Sequence, residues 1–262
     1  MSMERHAGQA DGLVKAIAKR VLPEQTHRTV RRLLVWPPLG TVRFGSLRRL
    51  TPISRRYGQE RGTPVDRYYI ESFIARYAGK ATYGVGDIRG HVLEVGDDMY
   101  TTKFGGSAVD RSDILHVGEG RPGVTLVADL TSADHLPSDT FDCVICTQTL
   151  HVIYDVRAAL ATLHRVLRPA GVLLATVPGI SQICKPDRYL WGDYWRFTSL
   201  SARRMLEELF PAEYVTVEAY GNVLTATAFL YGVASEELRK TELDPHDPDY
   251  EVTLGLRAVK AG

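Results

Sequence analysis

Five short apolar runs, "HVLEVG", "DILHVG", "VTLVADL", "FDCVICTQ" and "GVLLATVPG", follow one another between residues 91 and 179. Each is rich in β-branched residues and apolar on both faces. A strand with no polar face must be covered on both sides, which is the situation of a parallel sheet between two helix layers. The stretch "DVRAALATLHRVLRP" between the fourth and fifth runs has apolar residues at helical spacing and reads as a helix stopped by Pro169. This alternation predicts a doubly wound α/β domain.

The flanking text fits the same domain. "TPVDRYYIESFIARYAG" reads as a helix with Pro64 at its start, Tyr69, Ile70, Phe73, Ile74 and Tyr77 along one face, and Gly79 at its end. After the fifth run come a helix in "LSARRMLEELF", a strand in "YVTVEAYG", a helix in "NVLTATAFLYGVASEEL" and a last alternating strand in "YEVTLGLRAVK". The expected architecture is a Rossmann-like, seven-stranded sheet with an antiparallel last strand over residues 62–262. An N-terminal helical extension over residues 1–61 precedes it.

That extension shows two short helical patterns, near residues 11–21 and 26–35, broken by Pro23 and by Pro37 with Pro38. Residues 39–64 are irregular and Arg-rich, and are expected to be mobile or partner-dependent. The net charge of +1 hides an asymmetry, because residues 1–61 hold 13 Lys and Arg against 4 Asp and Glu. Such a section is either a solvated helical face or a homo-oligomer contact, or it meets an anionic partner. It resembles no nucleic-acid module, so no nucleic acid partner is expected.

With 44% hydrophobic and 24% charged residues the composition is that of a soluble protein. No apolar stretch reaches the roughly 18–20 residues of a membrane span. The first 20 residues lack the apolar block of a secretion signal, and a cytoplasmic location is expected. Three cysteines fit a reducing compartment. Cys143 and Cys146 have CxxC spacing, but no second pair completes a zinc site, and both sit in an apolar run where a thiol acts as a small hydrophobe. No cluster of acids at the strand ends suggests a divalent cation, and no metal is expected.

In a doubly wound sheet, ligands bind where the carboxyl ends of the strands open at the reversal of strand order. The polar residues at those ends are Glu94, Gly96, Asp97 and Asp98 after the first strand, His116 and Glu119 after the second, Asp129 and Leu130 after the third, and Thr147, Gln148 and His151 after the fourth.

Four segments together resemble the class I S-adenosylmethionine-dependent methyltransferases over about residues 62–261: "VLEVGDD", "VADLTSADHLPSDTFDCVI", "QTLHVI" and "LHRVLRPAGVLLATVP". The form of "EVGDD" and of "DYWRFTSLSARRMLEELF" is similar to a bacterial subset associated with glycosyltransferases. "EVGDD" lacks the second and third glycines of a dinucleotide fingerprint, which let the backbone approach a pyrophosphate. S-adenosylmethionine has no phosphate and carries a sulfonium, an ammonium and a carboxylate, so a carboxylate-rich turn suits it.

The resemblance implies S-adenosylmethionine as cofactor, with S-adenosylhomocysteine as product. It implies roles for Glu94, Gly96, Asp97 and Asp98 at the methionine end, His116 where a ribose-binding acid usually stands, Asp129 and Leu130 at the adenine, and Thr147 and Gln148 near the methionine. A single imidazole at residue 116 cannot make the paired acceptor contact of a carboxylate. Asp142, placed before a strand, reads as structural.

His151 is the candidate general base, since a neutral imidazole can take a hydroxyl proton near pH 7; the alternative is a packing or capping histidine. Two aromatic, Arg-containing segments flank the core, and in the resembled fold both lie over the cofactor face. Tyr68 or Tyr69 is expected to cover the cofactor. Trp191, Tyr194, Trp195 and Arg196 are expected to contact the acceptor, with core packing the alternative for Trp195. Flat rings suit sugars and Arg suits anions. The expected reaction is O-methylation of a hydroxyl on a sugar, glycan or glycosylated small molecule. N- or carboxyl-methylation, a non-methylating use of the cofactor, and cofactor binding alone are the alternatives.

Overall fold

The computed structural model describes residues 41–79 and 86–262. The two helical patterns expected near residues 11–21 and 26–35 lie outside the described residues. The chain divides into two compact units, Met1–Leu50 and Thr51–Gly262. Of the first unit, residues 41–50 are described, and they include an exposed 3-10 turn at Gly45–Leu47.

The second unit is built on a seven-stranded sheet of order β3-β2-β1-β4-β5-β7-β6. The strands are β1 (Gly90–Val95), β2 (Val109–His116), β3 (Leu126–Val127), β4 (Phe141–Thr147), β5 (Leu167–Pro178), β6 (Val215–Tyr220) and β7 (Thr253–Val259). The pairings from β3 through β5 are parallel, and β7 runs antiparallel between β5 and β6. The expected sheet, with its antiparallel last strand, is present. Strand order reverses between β1 and β4, so a crevice opens at their carboxyl ends.

The two-faced apolar runs do what their composition requires. Val92, Cys143, Ile145, Val172 and Leu174 pack on one face with Ile70, Phe73 and Ile74 of helix α1 (Val65–Ala78) and with Tyr100 of α2 (Met99–Phe104). Leu93, Val144, Cys146, Leu173 and Ala175 point the other way, onto α3 (Val156–Val166) and α5 (Ser199–Glu207). Successive strand residues alternate faces, so Cys143 and Cys146, three apart, lie on opposite sides of the sheet. Both are buried and free; burial raises both thiols, Cys146 to about 12. Gly255 on β7 lets α1 approach closely, since a Cβ there would stand 2.3 Å from the Phe73 ring.

The remaining helices are α4 (Lys185–Leu190), α6 (Val223–Tyr231) and α7 (Lys240–Leu243). The helix expected to continue to Leu238 ends at Tyr231, because Gly232 takes a left-handed conformation with φ +69°. Residues 51–61, expected to belong to the extension, pack within the second unit. The Ile53 and Ser54 amides donate to the Tyr231 carbonyl at 2.8 and 3.1 Å, and Arg61 pairs with Glu237. Among the described residues no helix is long and apolar enough to cross a membrane.

Candidate active site

The site begins at the turn after β1. Gly96 ends the strand with φ +103°, a conformation that side chains disfavour, and its amide donates to the Leu115 carbonyl at 2.8 Å. Glu94, only 1% exposed, reaches over this turn. Its Oε1 accepts from the Tyr100 amide at 3.0 Å, and its Oε2 accepts from both the Thr101 amide and hydroxyl at 2.7 Å. The carboxylate thus satisfies the first amides of α2. Burial raises the Glu94 carboxyl above its ordinary range, and the three Thr101 and Tyr100 hydrogen bonds oppose that rise.

A cavity of about 640 Å³ lies over the ends of β1 to β4. Its floor is Gly96, His116, Asp129, Leu130 and Gln148, five of the residues expected at the cofactor. His116 accepts from the Gly118 amide through Nδ1 at 3.0 Å, and its ring meets Trp191 edge to face with centroids 5.8 Å apart. Asp129 Oδ1 accepts from the Thr131 amide and hydroxyl, both at 2.8 Å, and no described residue donates to Oδ2. Arg121 donates from Nη1 to the Gly96 carbonyl at 3.1 Å and joins the lining. This volume is within the roughly 300–1,000 Å³ of small-ligand sites. Apolar walls at Leu115, Ala128 and Leu130, with the carboxylate of Asp129 among them, fit a purine ring and its amine, so the lining is compatible with S-adenosylmethionine.

Other expected residues stand elsewhere. Glu94 is outside this cavity's lining and instead holds the turn. Asp97 and Asp98 are exposed outside the lining; Asp97 Oδ1 accepts from the Met99 amide at 3.1 Å, and Asp98 precedes the first residue of α2. Thr147 is likewise outside it, its carbonyl accepting from the Thr149 hydroxyl at 3.0 Å. Tyr69, expected to cover the cofactor, is corrected to a core residue. It is 2% exposed, stacks on Tyr220 at 5.7 Å and donates its hydroxyl to the Leu243 carbonyl at 2.9 Å. Tyr68 packs in the same cluster, donates to Asp244 Oδ1 at 2.6 Å and is outside the cavity lining.

The aromatic segment divides. Trp191 and Tyr194 line the first cavity rather than a separate acceptor wall. Trp195 lines neither; its Nε1 donates to the Ile153 and Tyr154 carbonyls at 3.1 and 3.2 Å, and its ring stacks on Tyr154. Arg196 enters a second cavity, of about 390 Å³, whose walls include Arg55, Arg56, Arg67, Gln148, His151, Lys185 and Thr253.

Gln148 lines both cavities and holds a left-handed conformation, φ +46°, as a residue with a Cβ. Such backbone costs of order 1–3 kcal/mol and persists where the surroundings fix it. Here the Gln148 amide donates to the Thr176 carbonyl at 2.8 Å. Three residues on, His151 lies in a 3-10 turn, Leu150–Val152, and is 7% exposed. Its carbonyl accepts from the Tyr194 and Trp195 amides at 2.9 and 3.2 Å, tying the aromatic segment to this turn. Asp193 stands close enough for the two charges to interact. Burial opposes ionisation of Asp193, yet Arg196, the Cys184 amide and His151 hold its carboxyl below the usual range.

Sequence reading missed Arg121, Arg55, Arg56, Lys185 and Thr253 as lining residues. Nothing in the local text of "GEGRPG" or "TPISRRYG" separates them from ordinary loop residues.

Residues 83–175 match a family model described as a methyltransferase domain. No curated protein sequence matches the chain. Among solved structures, it is similar to a SAM-dependent methyltransferase from Archaeoglobus fulgidus, with 13% identity, 74% of this chain and 94% of that chain covered, and a TM-score of 0.47. It is also similar to the N-methyltransferase NodS from Bradyrhizobium japonicum WM9 in complex with S-adenosyl-L-homocysteine, with 13% identity, 90% and 98% covered, and a TM-score of 0.47. The matched segment carries the ends of β1 to β4 that floor the first cavity, so the similarity to a methyltransferase domain falls on the part of the chain where the expected cofactor residues converge.

Proposed function

We propose that the chain transfers a methyl group to a hydroxyl on a small polar acceptor, a sugar or a glycosylated molecule. The observation that carries this reading is the position of His151 in the second cavity, three residues from Gln148, which lines both cavities. A cofactor in the first cavity and an acceptor in the second then meet at that residue.

S-adenosylmethionine supplies a methyl carbon already activated by its sulfonium, so positioning an in-line nucleophile contributes most of the rate. Bound along the first cavity, the cofactor would give its methyl carbon to the acceptor oxygen and keep the C–S electron pair on sulfur, while Gln148 and His151 would hold that oxygen in place. The hydroxyl proton passes to the imidazole of His151. The Asp193 carboxylate then attracts the resulting imidazolium. An amine acceptor that is already neutral needs no such base.

The test uses methyl-labelled cofactor with the full chain and a panel of sugars, glycosides, amines and carboxylic acids. Label is expected in a product stable to base and acid as a methyl ether, and His151→Ala is expected to remove it. Label confined to amines or to base-labile esters, with His151→Ala still active, overturns the hydroxyl reading.

A further inference from the structure

The second cavity has an unbalanced charge. Arg55, Arg56, Arg67, Lys185 and Arg196 line it, with Asp66 the carboxylate on its wall among the described residues. Arg67 is accounted for on the cofactor side: its Nη1 donates to the Tyr100 hydroxyl at 2.8 Å, and it interacts with Asp66 and Asp97. Arg196 rests on Asp193, and its Nη2 also donates to the Gln182 carbonyl at 2.7 Å. Arg55 and Lys185 pair with no acid among the described side chains.

Two buried polar atoms on this lining have no hydrogen-bond partner. They are Nε of Arg196 and Oγ1 of Thr253, the latter on a residue 1% exposed. A buried polar atom without a partner is costly, and a bound ligand is one way in which such a group is satisfied. The walls are also tied together around the space. Gln182 Nε2 donates to the Arg55 carbonyl at 2.9 Å, joining residues 51–61 to the segment that leads into α4. The arginines of residues 51–61 therefore form one side of a built cavity.

We infer that the acceptor carries an anionic group, a phosphate or a carboxylate, bound in this second cavity by Arg55, Arg56, Lys185 and the Nε of Arg196. This rests on the reading of that cavity as the acceptor site. Guanidinium groups at fixed geometry match either anion by paired charge-assisted hydrogen bonds. The hydroxyl to be methylated then lies on the part of the acceptor nearest Gln148 and His151.

The test is calorimetry on the full chain saturated with S-adenosylhomocysteine, using inorganic phosphate and glucuronate as probes. At least one probe is expected to bind, and its identity separates phosphate from carboxylate recognition. Arg55→Ala with Lys185→Ala is expected to weaken that binding by about tenfold or more, with affinity for S-adenosylhomocysteine unchanged. Arg56→Lys, which keeps the charge, is expected to weaken it less than Arg56→Ala. Binding of neither probe overturns the inference. So does binding seen only without S-adenosylhomocysteine, because the cavity then serves the cofactor's own carboxylate. Anion binding with label found only on amines leaves this inference standing and removes the hydroxyl reading. Methyl ethers formed only on neutral acceptors do the reverse.

Discussion

The carboxylate of Glu94 and Thr101 are joined across the turn beside the first cavity, Oε2 accepting the Thr101 amide and hydroxyl at 2.7 Å each. The acid at this strand end therefore shapes the site by holding Gly96 and the start of α2 in register. Glu94→Ala leaves the Tyr100 and Thr101 amides without their acceptor. It is expected to cost about 2–3 kcal/mol in a denaturant melt. Because it loosens the turn, it is also expected to weaken S-adenosylhomocysteine binding, whereas Glu94→Gln, which keeps one acceptor oxygen, loses less of both.

Asp129, on the floor of the first cavity, accepts from Thr131 through Oδ1 alone and leaves Oδ2 for a ligand among the described contacts. Asp129→Ala is expected to weaken S-adenosylhomocysteine binding by about 1–3 kcal/mol, the range for a charged hydrogen bond. Trp195→Ala, outside the lining, is expected to leave that affinity unchanged. Titration calorimetry on the two variants decides the point, and equal losses would contradict the division of the aromatic segment.

Tyr69 gives a control of the opposite kind. Tyr69→Phe removes the hydroxyl that donates to Leu243 and keeps the ring stacked on Tyr220. A stability loss of about 1 kcal/mol without change in cofactor affinity is expected. A large fall in affinity would return Tyr69 to the cofactor.

What the sequence could reveal follows from how far apart the contributing residues are. Strands apolar on both faces are legible because each residue reports its own burial, and Val92 and Leu93 do pack on opposite sides. "VTLVADL" is a strand only at Leu126–Val127, since its last residues leave the ladder to line the cavity. Pro169, expected to stop a helix, stands near the exposed start of β5, because α3 passes directly into that strand. Helices α2, α4 and α7 have four to six residues, too few for a helical period to show. Gly96, His116, Asp129 and Gln148 were readable because strand ends converge by topology. The second cavity was not, because its walls come from five distant segments, and Arg55 approaches Gln182 only through tertiary folding.

Asp113 sets a pH dependence at the other end of the sheet. It accepts from His91 Nε2 at 2.6 Å and pairs with Arg111. Burial works against its ionised form, but the hydrogen bonds of His91, Thr125 and Arg111 hold the carboxyl below its ordinary value. A depressed carboxyl contributes stability above its unfolded pKa, near 4, and loses it as pH falls through the lower folded value. Urea melts from pH 6 to pH 3 are expected to show a steeper acid decline in the wild type than in Asp113→Asn. Parallel declines would mean that this pair contributes nothing to acid sensitivity.

The sharpest prediction concerns His151, which lines the second cavity while its carbonyl anchors Tyr194 and Trp195. The side chain and the carbonyl have separable roles, because a substitution keeps the backbone. His151→Ala is therefore expected to preserve the fold and S-adenosylhomocysteine affinity while lowering turnover of a hydroxyl acceptor by about 10²- to 10⁴-fold, the range for loss of a general base. The loss is expected in kcat rather than in KM. Asp193→Asn removes the negative charge that favours the imidazolium, so the acid limb of the kcat profile moves to lower pH. Steady-state kinetics between pH 5 and pH 9 on both variants separate this role from packing. If His151 is only a packing group, both variants change stability and KM, and the acid limb stays where it is.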